Sequence, residues 1–475
     1  MIKLFGLCAE KMKTLIKNLK SSGLSKAQIK TLKSILPLDA LLLTPQEKLI
    51  YGTDAGGRFA MPWAVVRPQT VDQVQQIMHW AEQERVPVIP RASATNVVSA
   101  CVPHMGGIVM SCLKMNSILS VDQRDFTAHV QPGVITYELQ QAVRAKSLFY
   151  PPDPASLRVC TIGGNISTNA GGMHAVKYGV TRDYVLGLEV VLPGGELIRT
   201  GGRVHKNVVG YDLTSLLVGA EGTLGVIVGA WLKLLPQPPC SATILVCFAE
   251  ENQALDAVDK VFTTGMLPAA LEFLPAEVLS CLSGYASMPW PESAGAALII
   301  QVDGTEAKVK EEISLVCSKL TDTLHLEIAR QKEQEHIWEL RRLINPASFR
   351  LGPDKCSDDV CVPRSRILNA VQGIRSIADD YSLPVLVFGH VGDGNLHVNF
   401  MYDGSIQGMK NQVAGCRREM LRLVLELDGS ISGEHGVGLS KRPFLTSQPG
   451  SGVLRLMRGI KKVFDPHNIL NPEKL

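Results

Sequence analysis

The 475-residue chain has no C-x-x-C pair, no apolar run of membrane-spanning length and no excess of either charge, and each absence removes a class of protein. Its 11 cysteines are odd in number and scattered. That excludes a disulfide framework, a zinc ribbon and an iron–sulfur ligand set belonging to the chain itself; the cysteines are expected to be reduced thiols that mostly fill cores. The longest apolar run, AGAALIIQV, is about half of the roughly 18–20 residues a bilayer span needs. Forty-eight Lys and Arg against 45 Asp and Glu leave a net charge of +3, too balanced for a nucleic-acid footprint or a polybasic membrane anchor. The opening MIKLFGLCAEKMK has too short an apolar core, and no small-residue cleavage site, for a signal peptide, so the expected location is the cytoplasm. The basic run KNLKSSGLSKAQIKTLK reads as the solvated face of an N-terminal helix. There is no internal repeat, no Walker-A lysine motif and no well-placed G-x-G-x-x-G.

What is present alternates helix and strand. Residues 1–45 read as a small helical layer. Thr70 and Gln73 predict a capping box, and Val71, Val74, Ile77, Met78 and Ala81 form a helical stripe that ends near Arg85, before the strand VPVIP. Thr136 is expected to cap a second helix carrying Leu139 and Val143, with GGIVMS and FTAHVQPG as strands between the two. The prolines of LPQPPCS (235–241) suggest a linker. Beyond it, TILVCFA, a helix near 251–263, ALEFL, a helix at 276–284, AALIIQVDG and a helix at 305–319 predict an α+β domain with antiparallel strands.

The most informative stretch is GHVGDGNLHVNF (389–400). Asp-Gly between strand-like runs signals a two-residue hairpin; with Asp393 and Gly394 as the turn, His390 faces His397. Directly opposed side chains have Cβ atoms roughly 4.5–5.5 Å apart, close enough for two imidazoles to hold one metal ion. Alternation places Asn399 on the same face. A second segment, SGEHGVG (432–438), sets Glu434 beside His435 in sequence too Gly-rich for a helix interior. Two histidines and a carboxylate are a common ligand set for a divalent ion, and a further histidine is a ready proton acceptor near neutral pH. The same spacing also fits a half-buried histidine pair and an unrelated loop.

Two Gly-rich runs, TIGGNISTNAGG (161–172) and LVGAEGTLGVI (217–227), permit close backbone approach, and consecutive N–H groups in such loops form an anion-binding concavity suited to a pyrophosphate. They also fit tight turns between strands. The intervening strand LGLEVVLPGG favours one shared ligand.

Taken in order, PPDPAS, TIGGNISTNAGG, VKYG, LVGAEGTLGVI, GHVGDGNLHVN, SGEHGVG and FDPHNILNP resemble the FAD-linked oxidases and dehydrogenases of the vanillyl-alcohol oxidase/PCMH superfamily. The likeness is closest to the branch that holds D-lactate dehydrogenase, D-2-hydroxyglutarate dehydrogenase and the flavin-binding chain of glycolate oxidase, and covers roughly residues 50–475. It implies an α+β fold: a PCMH-type FAD-binding domain of two α/β subdomains, a ferredoxin-like α+β substrate domain and a C-terminal helical segment. The expected division is 1–50, 51–238, 239–430 and 431–475, the last returning to the flavin.

The resemblance assigns FAD contacts to Pro90, Arg91, Ser93, Thr95, Asn96, Pro152, Asp153, Gly163, Gly164, Ser167, Asn169, Gly172, Glu221, Gly222, Gly225, Ile227 and Asn471. It maps metal ligation (Zn, Mn or Fe) to His390, His397 and Glu434, and the proton acceptor to His435. Arg341 corresponds to the arginine that binds the substrate carboxylate, with Asn345, Asn399 and Lys355 beside it. Two departures stand out. The usual P-R-G-x-G-T reads PRASAT here, with Ala92 and Ala94 in place of glycines, and Lys355 is spaced differently from the lysine of relatives. No histidine stands in the loop for covalent attachment, so FAD is expected to be non-covalent.

The implied reaction is oxidation of a small D-2-hydroxy acid. The implied acceptor is external: an iron–sulfur subunit, an electron-transferring flavoprotein or a quinone, with any membrane association made through a partner. An accessory or degraded FAD-binding subunit, and a transferase similar to alkyl-dihydroxyacetone-phosphate synthase, are the alternatives.

Overall fold

Three large sheets organise the computed structural model, which describes residues 23–284, 288–448 and 450–474. The first six residues of KNLKSSGLSKAQIKTLK, up to residue 22, lie outside these; from Lys26 the segment is part of the helix Lys26–Ile35. In the first sheet Ala64–Val66, Ile108–Ser111 and Val88–Arg91 run parallel, and Leu41–Leu42 adds an antiparallel edge. The helix Val71–Glu84 joins two of these strands and buries Val74, Ile77, Met78 and Ala81 against them. Thr70 accepts from the Gln73 N–H at 3.2 Å, but the Gln73 side chain turns to the Gln69 N–H, so only half of the expected capping box forms. Arg85 ends the helix in the left-handed conformation.

The second sheet is antiparallel, in the order Ile118–Asp122, Thr127–Val130, Val226–Lys233, Val185–Val191, Leu197–Gly201. Two local expectations change here. Thr136 is the first residue of its helix, with Ile135 at the cap; its buried hydroxyl accepts from Asn165 Nδ2 at 2.7 Å, which removes it from capping duty. The run TIGGNISTNAGG is not an open loop: Ile162–Thr168 is a short helix, capped by Thr161 and closed by Asn169 at φ 52°. Gly163 is required there by packing, since a Cβ would meet Pro132 Cβ at 2.5 Å. The predicted linker 235–241 is partly ordered into sheet: Leu235–Pro236 pairs with Leu148–Phe149, and Cys240 opens the next strand.

The third sheet has seven strands, all antiparallel, in the order His325–Ala329, Cys240–Phe248, Ala296–Gly304, Ala270–Pro275, Val385–His390, Asn395–Tyr402, Asp354–Cys361. With the helices Glu251–Phe262 and Glu306–Lys319, the first four make a β-α-β-β-α-β unit in ferredoxin-like order. Alternation sends Ile244, Val246, Leu298 and Ile300 to one core and Leu245, Cys247, Ala297 and Ile299 to the other. The helix Lys332–Ala347 covers the second face, burying Ile337, Trp338, Leu340 and Ile344.

Candidate active site

The hairpin closes differently from the expected turn. His390 pairs with Asn395 and Phe388 with His397, so the connection spans residues 391–394 rather than Asp393 and Gly394 alone. Asp393 is the reason: its carboxylate accepts from the Asn395 N–H at 3.2 Å, closing a wider loop in which Gly394 takes φ 86°. The displacement is two residues, and a strand slipped by two keeps every side chain on its face. The histidines therefore meet diagonally, with their Nε2 atoms 3.3 Å apart.

Glu434 reaches the same point from the 432–438 loop. Its Oε1 lies 3.9 Å from His390 Nε2 and 3.7 Å from His397 Nε2, and one ligand atom from each of the three residues falls within 4.8 Å of the others. Metal–ligand bonds of roughly 2.0–2.2 Å put neighbouring ligand atoms about 3–4 Å apart, so the set fits a divalent ion without rearrangement. Gly171 makes room for it, because a Cβ there would lie 2.9 Å from Glu434 Oε2.

Two buried carboxylates behind this cluster were not anticipated. Glu272, fully buried on the strand Ala270–Pro275, contacts His390 Nδ1 through Oε1 and accepts from Arg341 Nε at 2.5 Å through Oε2. It thus orients His390 and Arg341 together, the outer-shell arrangement metal-bound imidazoles commonly have. Burial alone would raise Glu272, but Arg341 and His390 outweigh it and hold its pKa at about 2. For His390 burial favours the neutral ring, and the Glu272 charge overrides it, so that its pKa rises to about 9. His397 is pushed well below the usual histidine range by burial and by the positive charge of His390 and Arg341. The second carboxylate, Asp359, accepts from the N–H groups of Glu434 (2.5 Å) and His435 (3.1 Å) and from the buried Lys441 ammonium (2.6 Å). Its Oδ1 also lies 3.1 Å from His435 Nδ1, outside good hydrogen-bond alignment. Burial lowers the His435 pKa and the Asp359 charge raises it, with a net rise.

These groups open onto one cavity of about 760 Å³, inside the roughly 300–1,000 Å³ range of cofactor and ligand sites. Its wall carries Arg341, Asn345, Lys355 and Asn399, together with His390, His397, Glu434 and His435. Lys355 Nζ contacts Asn345 Oδ1, and Asn399 Oδ1 accepts from Ser357 Oγ at 2.7 Å. The same wall includes Pro90, Arg91, Ser93, Thr95, Asn96, Gly163, Gly164, Ser167, Glu221, Gly222, Gly225 and Ile227. One cavity thus joins Gly-rich backbone and a cluster of polar and ionisable side chains.

The remaining expected FAD residues stand behind the wall. The Pro152 carbonyl accepts from Gln140 Nε2 at 3.0 Å, and Asp153 lies 2.9 Å from His174 Nδ1. Asn169 accepts from the Arg182 N–H at 2.9 Å, and Gly172 passes Asp153 where a Cβ would come within 2.6 Å of its carbonyl. Asn471 donates to the carbonyls of Ala100 and Glu221 at 2.8 and 2.7 Å. Even on the wall, some side chains hold backbone: Arg91 donates to the Thr53 and Ile50 carbonyls, and Glu221 accepts from the N–H groups of Val437 and Gly438.

Comparison with known proteins decides the family. Residues 62–201 match an FAD binding domain, and residues 237–475 match the C-terminal domain of FAD linked oxidases. The chain belongs to the FAD-linked oxidases. It is 42% identical over 433 residues to glycolate oxidase subunit GlcD of Bacillus subtilis, covering 90% of this chain and 92% of that protein. It is 34% identical to D-lactate dehydrogenase of Anaerostipes hadrus, covering 91% and 92%. Among solved structures, p-cresol methylhydroxylase with substrate bound shares the fold at a TM-score of 0.79 and 18% identity, over 96% of this chain and 98% of that one. This FAD-linked oxidoreductase therefore places its Gly-rich segments and its histidine–glutamate cluster on the wall of a single cavity.

Proposed function

We propose that this FAD-linked oxidase oxidises a small D-2-hydroxy acid, of the size of glycolate, D-lactate or D-2-hydroxyglutarate, to the 2-oxo acid and passes the electrons to an external acceptor. The observation that carries the reading is the convergence of His390, His397 and Glu434 beside His435 and Arg341 on the cavity that the Gly-rich segments line. The names of the relatives, glycolate oxidase and D-lactate dehydrogenase, support the hydroxy-acid class.

When bound, non-covalent FAD would take the hydride and a divalent ion on His390, His397 and Glu434 would polarise the substrate hydroxyl. Arg341 receives the carboxylate. Glu272 occupies only its Nε, leaving two terminal nitrogens in a planar fork suited to a bidentate pair. Asn345, Lys355 and Asn399 orient the rest of the substrate. His435 Nε2, 3.7 Å from Glu434 Oε1, removes the hydroxyl proton, and Asp359 beneath it stabilises the resulting imidazolium. An accessory subunit would have no use for a preassembled ligand set with buried partners, which favours the catalytic reading.

Anaerobic flavin bleaching across D-lactate, glycolate, D-2-hydroxyglutarate and the L-forms, with and without chelator, tests it. A D-2-hydroxy acid is expected to bleach the flavin, a chelator to stop this and added divalent ion to restore it. His435→Ala should keep flavin and lose bleaching. Bleaching unaffected by either treatment removes metal and base from the mechanism.

A further inference from the structure

The helix Gly450–Phe464 is bound to the rest of the molecule along one narrow line. Leu454 is its one buried residue, and Ile460 and Phe464 pack at the edge of the second-sheet core. Lys461 turns inward, donating to the carbonyls of Thr223 and Leu470 at 2.8 Å each. Two rows face away. Val453, Leu456 and Val463 follow the spacing of one helical face, and Leu456 and Val463 are 59% and 80% exposed. Arg455, Arg458 and Lys462 make the second row and form no ion pair among the described residues. The helix holds no Asp or Glu, although the whole chain is nearly balanced in charge.

Exposed apolar side chains of this helix beside its unpaired cations match the headgroup and acyl boundary of an anionic membrane, where the apolar row is buried and the cations meet phosphate. No described helix is long and apolar enough to cross a bilayer, so contact would be made at the surface.

We infer that the helix Gly450–Phe464 is a docking surface for anionic lipid. The inference is independent of the substrate reading. It is tested by co-sedimenting the full-length FAD-loaded protein with vesicles of phosphatidylcholine alone or mixed with phosphatidylglycerol. Binding is expected to the mixed vesicles, with release by high salt. Arg455→Glu with Arg458→Glu should weaken it by more than about tenfold, given about 1 kcal/mol per basic residue at an anionic surface. Leu456→Ser with Val463→Ser should weaken it at unchanged charge. Both variants should keep the flavin content and circular dichroism of the parent. Absence of binding to the mixed vesicles at low salt, equal binding to both vesicle types, or unchanged binding by both variants overturns the proposal.

Discussion

Ala94 occupies a conformation that glycine would adopt without cost. Its φ is 57°, on the wall of the cavity, in the segment PRASAT. An L-residue held left-handed costs about 1–2 kcal/mol, partly offset by the chain entropy that alanine saves. Ala94→Gly should therefore raise stability by about 1 kcal/mol in denaturant unfolding without loss of flavin. Ala92 is accommodated differently: its methyl lies 3.3 Å from where a Cβ on Gly164 would sit, so the glycine opposite absorbs it. The paired histidines make a second prediction. With His390 near pKa 9 in the metal-free protein, binding a dication at lower pH must expel its proton. Apparent zinc affinity should climb about tenfold per pH unit up to about pH 9 and then level off. Titration calorimetry across pH checks this, and a flat profile would remove His390 from the ligand set. Glu272 and Asp359 went unread because neither has a sequence neighbour that needs it. The one available signal was a lone carboxylate inside an apolar strand, as in ALEFL, which must be paired when buried.

Among the elements, the histidine hairpin was legible in kind and wrong in register. An Asp-Gly pair between alternating runs identified two strands and put both histidines on one face. Loop length depended on whether Asp393 would bond to the Asn395 N–H, a choice two strands on either side help to make. Gly394 is tied to that outcome: at φ 86°, a Cβ would lie 2.0 Å from the Val362 carbonyl. Gly394→Ala should destabilise the protein by about 2 kcal/mol or more. Metal content measured on the folded fraction should fall with it; an unchanged melting midpoint would show that the loop relaxes freely. The Gly-rich run 161–172 shows the converse. Glycines suggested an open phosphate loop, yet the backbone is helical, and the small residues there serve close packing against Pro132 and Glu434.

Across the whole molecule, the segment Ala175–Tyr178 fastens the FAD binding domain to the seven-stranded sheet. Lys177 and Tyr178 both bond Asp303, and His174 Nε2 lies 2.7 Å from Gln301 Oε1 while its Nδ1 faces Asp153. Burial would lower the His174 pKa, but Asp153 raises it from 6.5 to about 9. A group raised on folding contributes stability that is complete below its unfolded value and lost as pH rises through the folded one. Stability should therefore decline by about 2 kcal/mol between pH 6.5 and 9, after discount for the partial exposure of the ring. His174→Gln should flatten that decline in urea melts. An equally steep decline in the variant would assign the effect to other groups. By itself the sequence determined which segments are strands and helices, where backbone must approach closely and which residue types can ligate and transfer protons, because alternation, capping and glycine act over a few neighbours. Only the tertiary structure decided the four-residue hairpin loop and brought Glu272, Asp359 and Gly171 to the histidines. Those contacts join residues more than 70 positions apart, and their selection rests on burial and charge pairing that no local spacing encodes.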